Sequence, residues 1–99
     1  MDTMLGISHE TLAAFCLKHH IVRLSVFGST LRGEARDDSD LDLLVEFDPA
    51  HSPGLLGLAS MEMGLSAMTG RRVDLRTKGE LSRYFRDEVV EKARVQYAQ

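Results

Sequence analysis

The 99-residue sequence contains one cysteine, Cys16, so no internal disulfide can form. A lone thiol is compatible with a reducing compartment such as the cytoplasm. No apolar run reaches the length needed to cross a bilayer, so no membrane partner is expected. The chain does not open with a basic segment followed by an apolar core, which argues against a secretory signal. Basic residues are not in excess: 12 Lys and Arg face 15 Asp and Glu, a formal net charge of −3. Such a balance argues against direct, charge-driven binding to nucleic acid. Repeats and low-complexity segments are also absent.

What remains is the composition of an ordinary globular protein, 43% hydrophobic and 27% charged. The length suits one domain over residues 1–99. After a short leader, Ser8 is placed to cap a helix running to about His20. Ile7 and Leu12 form a hydrophobic staple there, and Leu12, Phe15 and Cys16 carry the buried stripe. Ile21 to Phe27 reads as a strand. Val22, Leu24 and Val26 share one face, and Ile21, Arg23, Ser25 and Phe27 share the other. Thr30 to Ala35 reads as a short helix or turn.

A second strand is expected from Asp40 to Phe47, with Leu41, Leu43, Val45 and Phe47 turned toward helices. Leu55 to Thr69 reads as a helix stopped by Gly70. Arg72 to Arg76 reads as a third strand centred on Asp74. A last helix is expected from Gly79 or Glu80 nearly to Gln99, because Leu81, Phe85, Val89, Ala93 and Tyr97 recur every four residues. The expected fold is α/β, of the α+β kind: a small mixed β-sheet with helices packed on it. Three strands leave an edge that another chain can pair with, so a homo- or hetero-oligomer is open.

The chemistry concentrates between Phe27 and Phe47. Gly28-Ser29 falls where a strand ends and a helix can begin. Free N–H groups at such a start bind phosphate, and glycine lets the backbone come close to a ligand. Asp40 and Asp42 follow after ten intervening residues. In a strand, residues i and i+2 lie on one face, so both carboxylates point the same way. Like charges that close repel, and a hard cation such as magnesium relieves them. Asp74, between Val73 and Leu75, is a third candidate donor; its bland alternative is a strand residue paired with Arg72 or Arg76. Ser29 can cap the short helix as well as contact phosphate. Arg32 and Arg36 are either phosphate contacts or surface charges. Cys16, His19 and His20 have a helical spacing that suits zinc, but no fourth ligand is evident.

Gly28-Ser29 followed at this spacing by Asp40-Leu41-Asp42 resembles the signature of the DNA polymerase β-like nucleotidyltransferase superfamily. The surrounding residues, Thr30 to Arg36 and Ser39 to Val45, look like those of the minimal nucleotidyltransferases. These are short proteins often paired with a HEPN-domain partner in toxin–antitoxin modules. The resemblance implies a polymerase β-like palm and a catalytic and metal-binding set of Asp40, Asp42 and Asp74 holding two Mg2+ ions. It implies nucleotide contacts from Gly28 and Ser29, with Arg32 and Arg36 as further candidates. It also implies ATP as substrate, with AMP passing to a hydroxyl, a tyrosine of a HEPN ribonuclease toxin. A different class remains open: a non-catalytic antitoxin that neutralises its partner by docking. Small-molecule transferases of the same superfamily carry a further helical domain for their acceptor, and these 99 residues leave no room for one.

Overall fold

Ser8 opens the first helix: its hydroxyl accepts a hydrogen bond from the Thr11 amide at 3.2 Å. The helix, α1, runs His9–Lys18 and buries Leu12 and Cys16, while Ile7 packs beside them. The computed structural model describes residues 5–28, 40–51, 53–80, 84 and 86–99. The expected short helix over 30–35 lies outside that set.

Three strands follow the expected order: β1 (Ile21–Phe27), β2 (Leu41–Phe47) and β3 (Val73–Thr77). Between β2 and β3 the helix α2 spans Leu55–Thr69 and ends at Gly70, with φ 70° and its N–H on the Ser66 carbonyl. That left-handed stop suits glycine, which has no Cβ to clash. β2 pairs antiparallel with β1 and parallel with β3. Parallel neighbours need a crossover, and α2 provides it.

Two expectations are corrected. The first concerns the faces of β1. A register shift between Ile21 and Arg23 adds a residue to the strand, and a bulge of this kind changes the alternation. Ile21 thereby joins Leu24 and Val26 in the core, while Val22 is only half-buried. The second concerns the C-terminal segment. In place of one long helix, a short α3 (Arg86–Lys92) is followed after Ala93 by a strand, β4 (Arg94–Ala98). Leu81 and Phe85, two members of the four-residue repeat, lie outside the described residues. β4 pairs antiparallel with β1, placing Tyr97 opposite Leu24 and Val95 opposite Ser25. The expected helical period competes with β-favouring Val95 and Tyr97 and with the unpaired edge of β1, and sheet pairing wins. Among the described residues the sheet therefore has four strands, ordered β3-β2-β1-β4.

The core lies between the sheet and α1 and α2. It joins Leu12 and Cys16 of α1, Met61 and Leu65 of α2, and Leu24, Val26, Leu41, Leu43, Val45, Val73, Leu75 and Tyr97 of the sheet. α2 also closes the outer edge of β3. The Val73 amide donates to Ser66 Oγ at 3.0 Å, and the Leu75 amide donates to Glu62 Oε2 at 2.7 Å. These N–H groups alternate with those turned toward β2, so they would otherwise offer an open edge.

Two tests follow. Glu62→Ala leaves the Leu75 amide without its acceptor and is expected to lower stability by about 1–3 kcal/mol in urea unfolding. Glu62→Gln, which keeps an acceptor oxygen, should recover part of this. Burial pushes the Cys16 thiol from its ordinary value of 9.0 up to about 12. Because the folded value is raised, the neutral thiol's contribution is fully present below the unfolded value and is lost as pH rises through the folded one. Iodoacetamide should therefore leave Cys16 unlabelled in the native protein at pH 8 and label it rapidly in urea, as mass spectrometry would read.

Candidate active site

The alternation of β2 decides which side of the sheet carries the carboxylates. Leu41, Leu43 and Val45 are buried in the core, so Asp42 between them points to the opposite face. Asp40, exposed and one residue ahead of β2, shares that parity. The parallel register then aligns Asp42 with Asp74, flanked by the core pairs Leu41–Val73 and Leu43–Leu75. Two carboxylates distant in sequence thus stand abreast on neighbouring strands, both half-buried.

On its other side Asp42 lies abreast of Phe27, the last residue of β1, and the chain turns at Gly28. Gly28 has φ 77°, and a Cβ added there would run into the Asp42 carboxylate, with Asp42 Cγ only 3.1 Å away. Both conditions demand glycine. The backbone at Gly28 is thereby brought directly against Asp42, the second aspartate of the Asp-x-Asp pair. Ser29, Arg32 and Arg36 lie outside the described residues.

Asp74 has a cation beside it. Arg76 Nε donates to Oδ1 at 3.1 Å and Nη2 donates to Oδ2 at 3.2 Å, a fork on one carboxylate. The strand-surface pairing weighed as the bland alternative for Asp74 is therefore present, and the alignment with Asp42 is present too. Among the described residues no three carboxylate, histidine or cysteine groups gather closely enough to enclose an ion. The donors themselves suit a hard cation. They are all oxygen, Asp42 and Asp74 stand side by side on one face, and the Gly28 backbone lies against Asp42, a donor chemistry of the kind that hard cations prefer. Cys16, His19 and His20 diverge: Cys16 is buried, His19 packs on Phe15 at 4.4 Å, and His20 stacks on His51 at 3.9 Å.

In the sequence Arg76 stands out only as a possible surface partner of Asp74. The i, i+2 spacing from Asp74 was the available signal, since it puts both side chains on one face of β3.

Gly28→Ala tests the close approach, with Gly6→Ala as its control. Gly6 has a similar φ of 78°, but nothing lies within 4 Å of its would-be Cβ. Both substitutions bear a left-handed backbone cost of about 1–2 kcal/mol. Only Gly28→Ala should lose more than this in urea unfolding, through displacement of Asp42.

A family model described as "Nucleotidyltransferase domain" matches residues 9–96. The protein adenylyltransferase MntA of Thermococcus cleftensis is 48% identical over 58 residues, 59% of this chain and 57% of that protein. The match therefore spans little more than half of that relative's length. A protein of Methanocaldococcus jannaschii, provisionally named a protein adenylyltransferase, is 36% identical over 77 residues, 78% of this chain and 81% of that protein. Among solved structures, one provisionally described as a minimal nucleotidyltransferase superimposes with a TM-score of 0.70 and 41% identity, covering 86% of this chain and 85% of that one. The MNT antitoxin complex with a tri-AMPylated HEPN toxin from Shewanella oneidensis gives a TM-score of 0.65 at 15% identity, over 92% of this chain and 70% of the matched one, a likeness of fold alone. Matches of this extent and identity make the chain a member of the nucleotidyltransferase domain family, enzymes of the transferase class.

Proposed function

We propose that this chain is a magnesium-dependent protein adenylyltransferase that moves AMP from ATP to a tyrosine hydroxyl of a HEPN-type ribonuclease toxin, and so acts as its antitoxin. The observation that carries this reading is the alignment of Asp42 with Asp74 beside the Gly28 turn. The relatives' names support the chemistry, and the AMPylated toxin in the Shewanella complex supports the class of acceptor.

In this reading Asp40, Asp42 and Asp74 hold two Mg2+ ions. Bound there, such ions supply charge neutralisation for the triphosphate and for the attacking and leaving oxygens. The Gly28 turn and Ser29 hold the phosphates, with Arg32 and Arg36 as further phosphate contacts. The tyrosine oxygen forms a bond to the α-phosphorus as the bond to the β-phosphate oxygen breaks. Pyrophosphate leaves with that electron pair, and the phenol proton passes to Asp74. Positioning of donor and acceptor in line supplies most of the rate advantage. An added phosphodiester brings negative charge and bulk to the toxin, enough to switch off a ribonuclease that must bind RNA phosphates.

One observation favours a docking role instead. The exposed residues of α2 are Leu55, Leu56, Ala59, Ser60, Met63 and Ala67, with no charge among them. Leu55 and Leu56 are 85% and 89% exposed. Such a surface suits a protein contact.

Incubation with ATP, Mg2+ and the product of the neighbouring reading frame, followed by peptide mass spectrometry, separates the readings. AMP-tyrosine is expected with wild type. Asp42→Asn should lower the rate by at least about a hundredfold, the scale of several kcal/mol of lost charge stabilisation. No adduct with wild type, alongside an inhibitory complex that Asp40→Ala also forms, would leave docking as the function.

A further inference from the structure

Asp74 and Arg76 lie on the same face of β3, and the arginine reaches back along its own strand to grip both oxygens of the aspartate. Across the sheet Arg76 lies abreast of Leu44, an apolar neighbour, while Asp74 lies abreast of Asp42. The guanidinium therefore puts positive charge on the carboxylate row rather than away from it. Two carboxylates side by side need a countercharge. In the protein alone, Arg76 contributes one. The pair is 47% and 34% exposed at its two side chains, so water screens it and it can open at small cost.

A metal ion and a guanidinium cannot share Asp74 on equal terms. Both require its oxygens, and their charges repel. We propose that Arg76 is a placeholder cation: it holds Asp74 in the metal-free protein and is displaced when the metal–nucleotide complex enters. This rests on the reading of Asp42 and Asp74 as metal ligands. Displaced from Asp74, the guanidinium remains tethered two residues away, and its planar fork then matches a phosphate oxygen pair of the arriving nucleotide. The exchange makes metal without nucleotide a weak ligand, and metal with nucleotide a stronger one. Until the nucleotide arrives Arg76 is a positioning residue, setting where the Asp74 carboxylate points and when it is released; afterwards it contacts the phosphate.

Mn2+ binding to the full chain, followed by the loss of the free-ion paramagnetic resonance signal, tests the proposal without any turnover. Without nucleotide, Arg76→Gln should bind Mn2+ about two- to fivefold more tightly than wild type, the range set by an exposed ion pair. Arg76→Lys, which keeps a charge but not the fork, should fall between. ATP itself takes up Mn2+, so with nucleotide present the quantity read is Mn–ATP bound to the chain in equilibrium dialysis, and there the advantage should vanish or reverse, because the variant lacks the phosphate contact. A purely structural role for Arg76 would not tighten metal binding. Equal or weaker Mn2+ affinity in Arg76→Gln, with binding still lost in Asp42→Asn, would overturn the placeholder while leaving the metal site standing. Wild-type affinity in Asp42→Asn and Asp74→Asn, or no Mn2+-dependent binding of ATP by wild type, would overturn the metal-site reading and the placeholder with it.

Discussion

The strand from Leu41 to Phe47 can seat in one register only. Leu41, Leu43 and Val45 are fully buried against the helical layer, and a slip of one residue would bring Asp42 into their place. Burying an unpaired carboxylate costs several kcal/mol, and exposing three large apolar side chains costs several more. That penalty locks the alternation, and the alternation locks the carboxylates to the opposite face. Both neighbours of β2 take their registers from it. β1 arrives antiparallel and ends with Phe27 beside Asp42, so the turn at Gly28 falls against the carboxylate. β3 arrives parallel and lays Asp74 alongside. The site is thus a consequence of core packing one residue out of phase.

The crossover helix has two jobs in this arrangement. It lets β3 run parallel to β2, and it anchors β3 from outside through Ser66 and Glu62. A strand with only one paired edge would be free to shift, and a shift would separate Asp74 from Asp42. Glu62 is the one charged residue of α2, and it is spent on the backbone of β3 rather than on solvent. The same economy appears at the other edge, where β4 pairs along β1. Both outer strands of the original three-stranded expectation are thereby covered or paired along one side.

Local signals and long-range ones were not equally legible in the sequence. Ser8, the run Leu55 to Thr69 and Gly70 mark their elements by capping chemistry and by left-handed backbone, which depend on neighbours a few residues away. The pattern Leu41, Leu43, Val45 also declares its own faces. The bulge at Ile21 leaves no composition signal, because isoleucine and valine suit either face of a strand. β4 was hidden for a related reason. Tyr97 sits on both a four-residue helical repeat and a two-residue strand pattern, and no Gly or Pro separates Lys92 from Arg94. What decided the matter was the edge of β1, some seventy residues earlier in the chain. The Asp42–Asp74 alignment is equally long-range: sequence supplied the donors, whereas parallel pairing supplied the neighbourhood.

The two surfaces assigned roles in the proposed function lie on different sides of the sheet. Asp42 and Asp74 point away from the core, while α2 covers the core side and turns Leu55, Leu56 and Met63 outward from it. A helical layer is about 10 Å thick, and the sheet adds to that. A partner held only by the apolar side of α2 would carry its hydroxyl on the wrong side of the sheet from the carboxylates. The proposed transfer in trans would require contact near the ends of β1, β2 and β3, where Phe27, Gly28, Asp42 and Asp74 come together. On the proposed reading, docking and chemistry are separable by position: substitutions of Leu55, Leu56 or Met63 would act on complex formation, and substitutions in the carboxylate row would act on transfer.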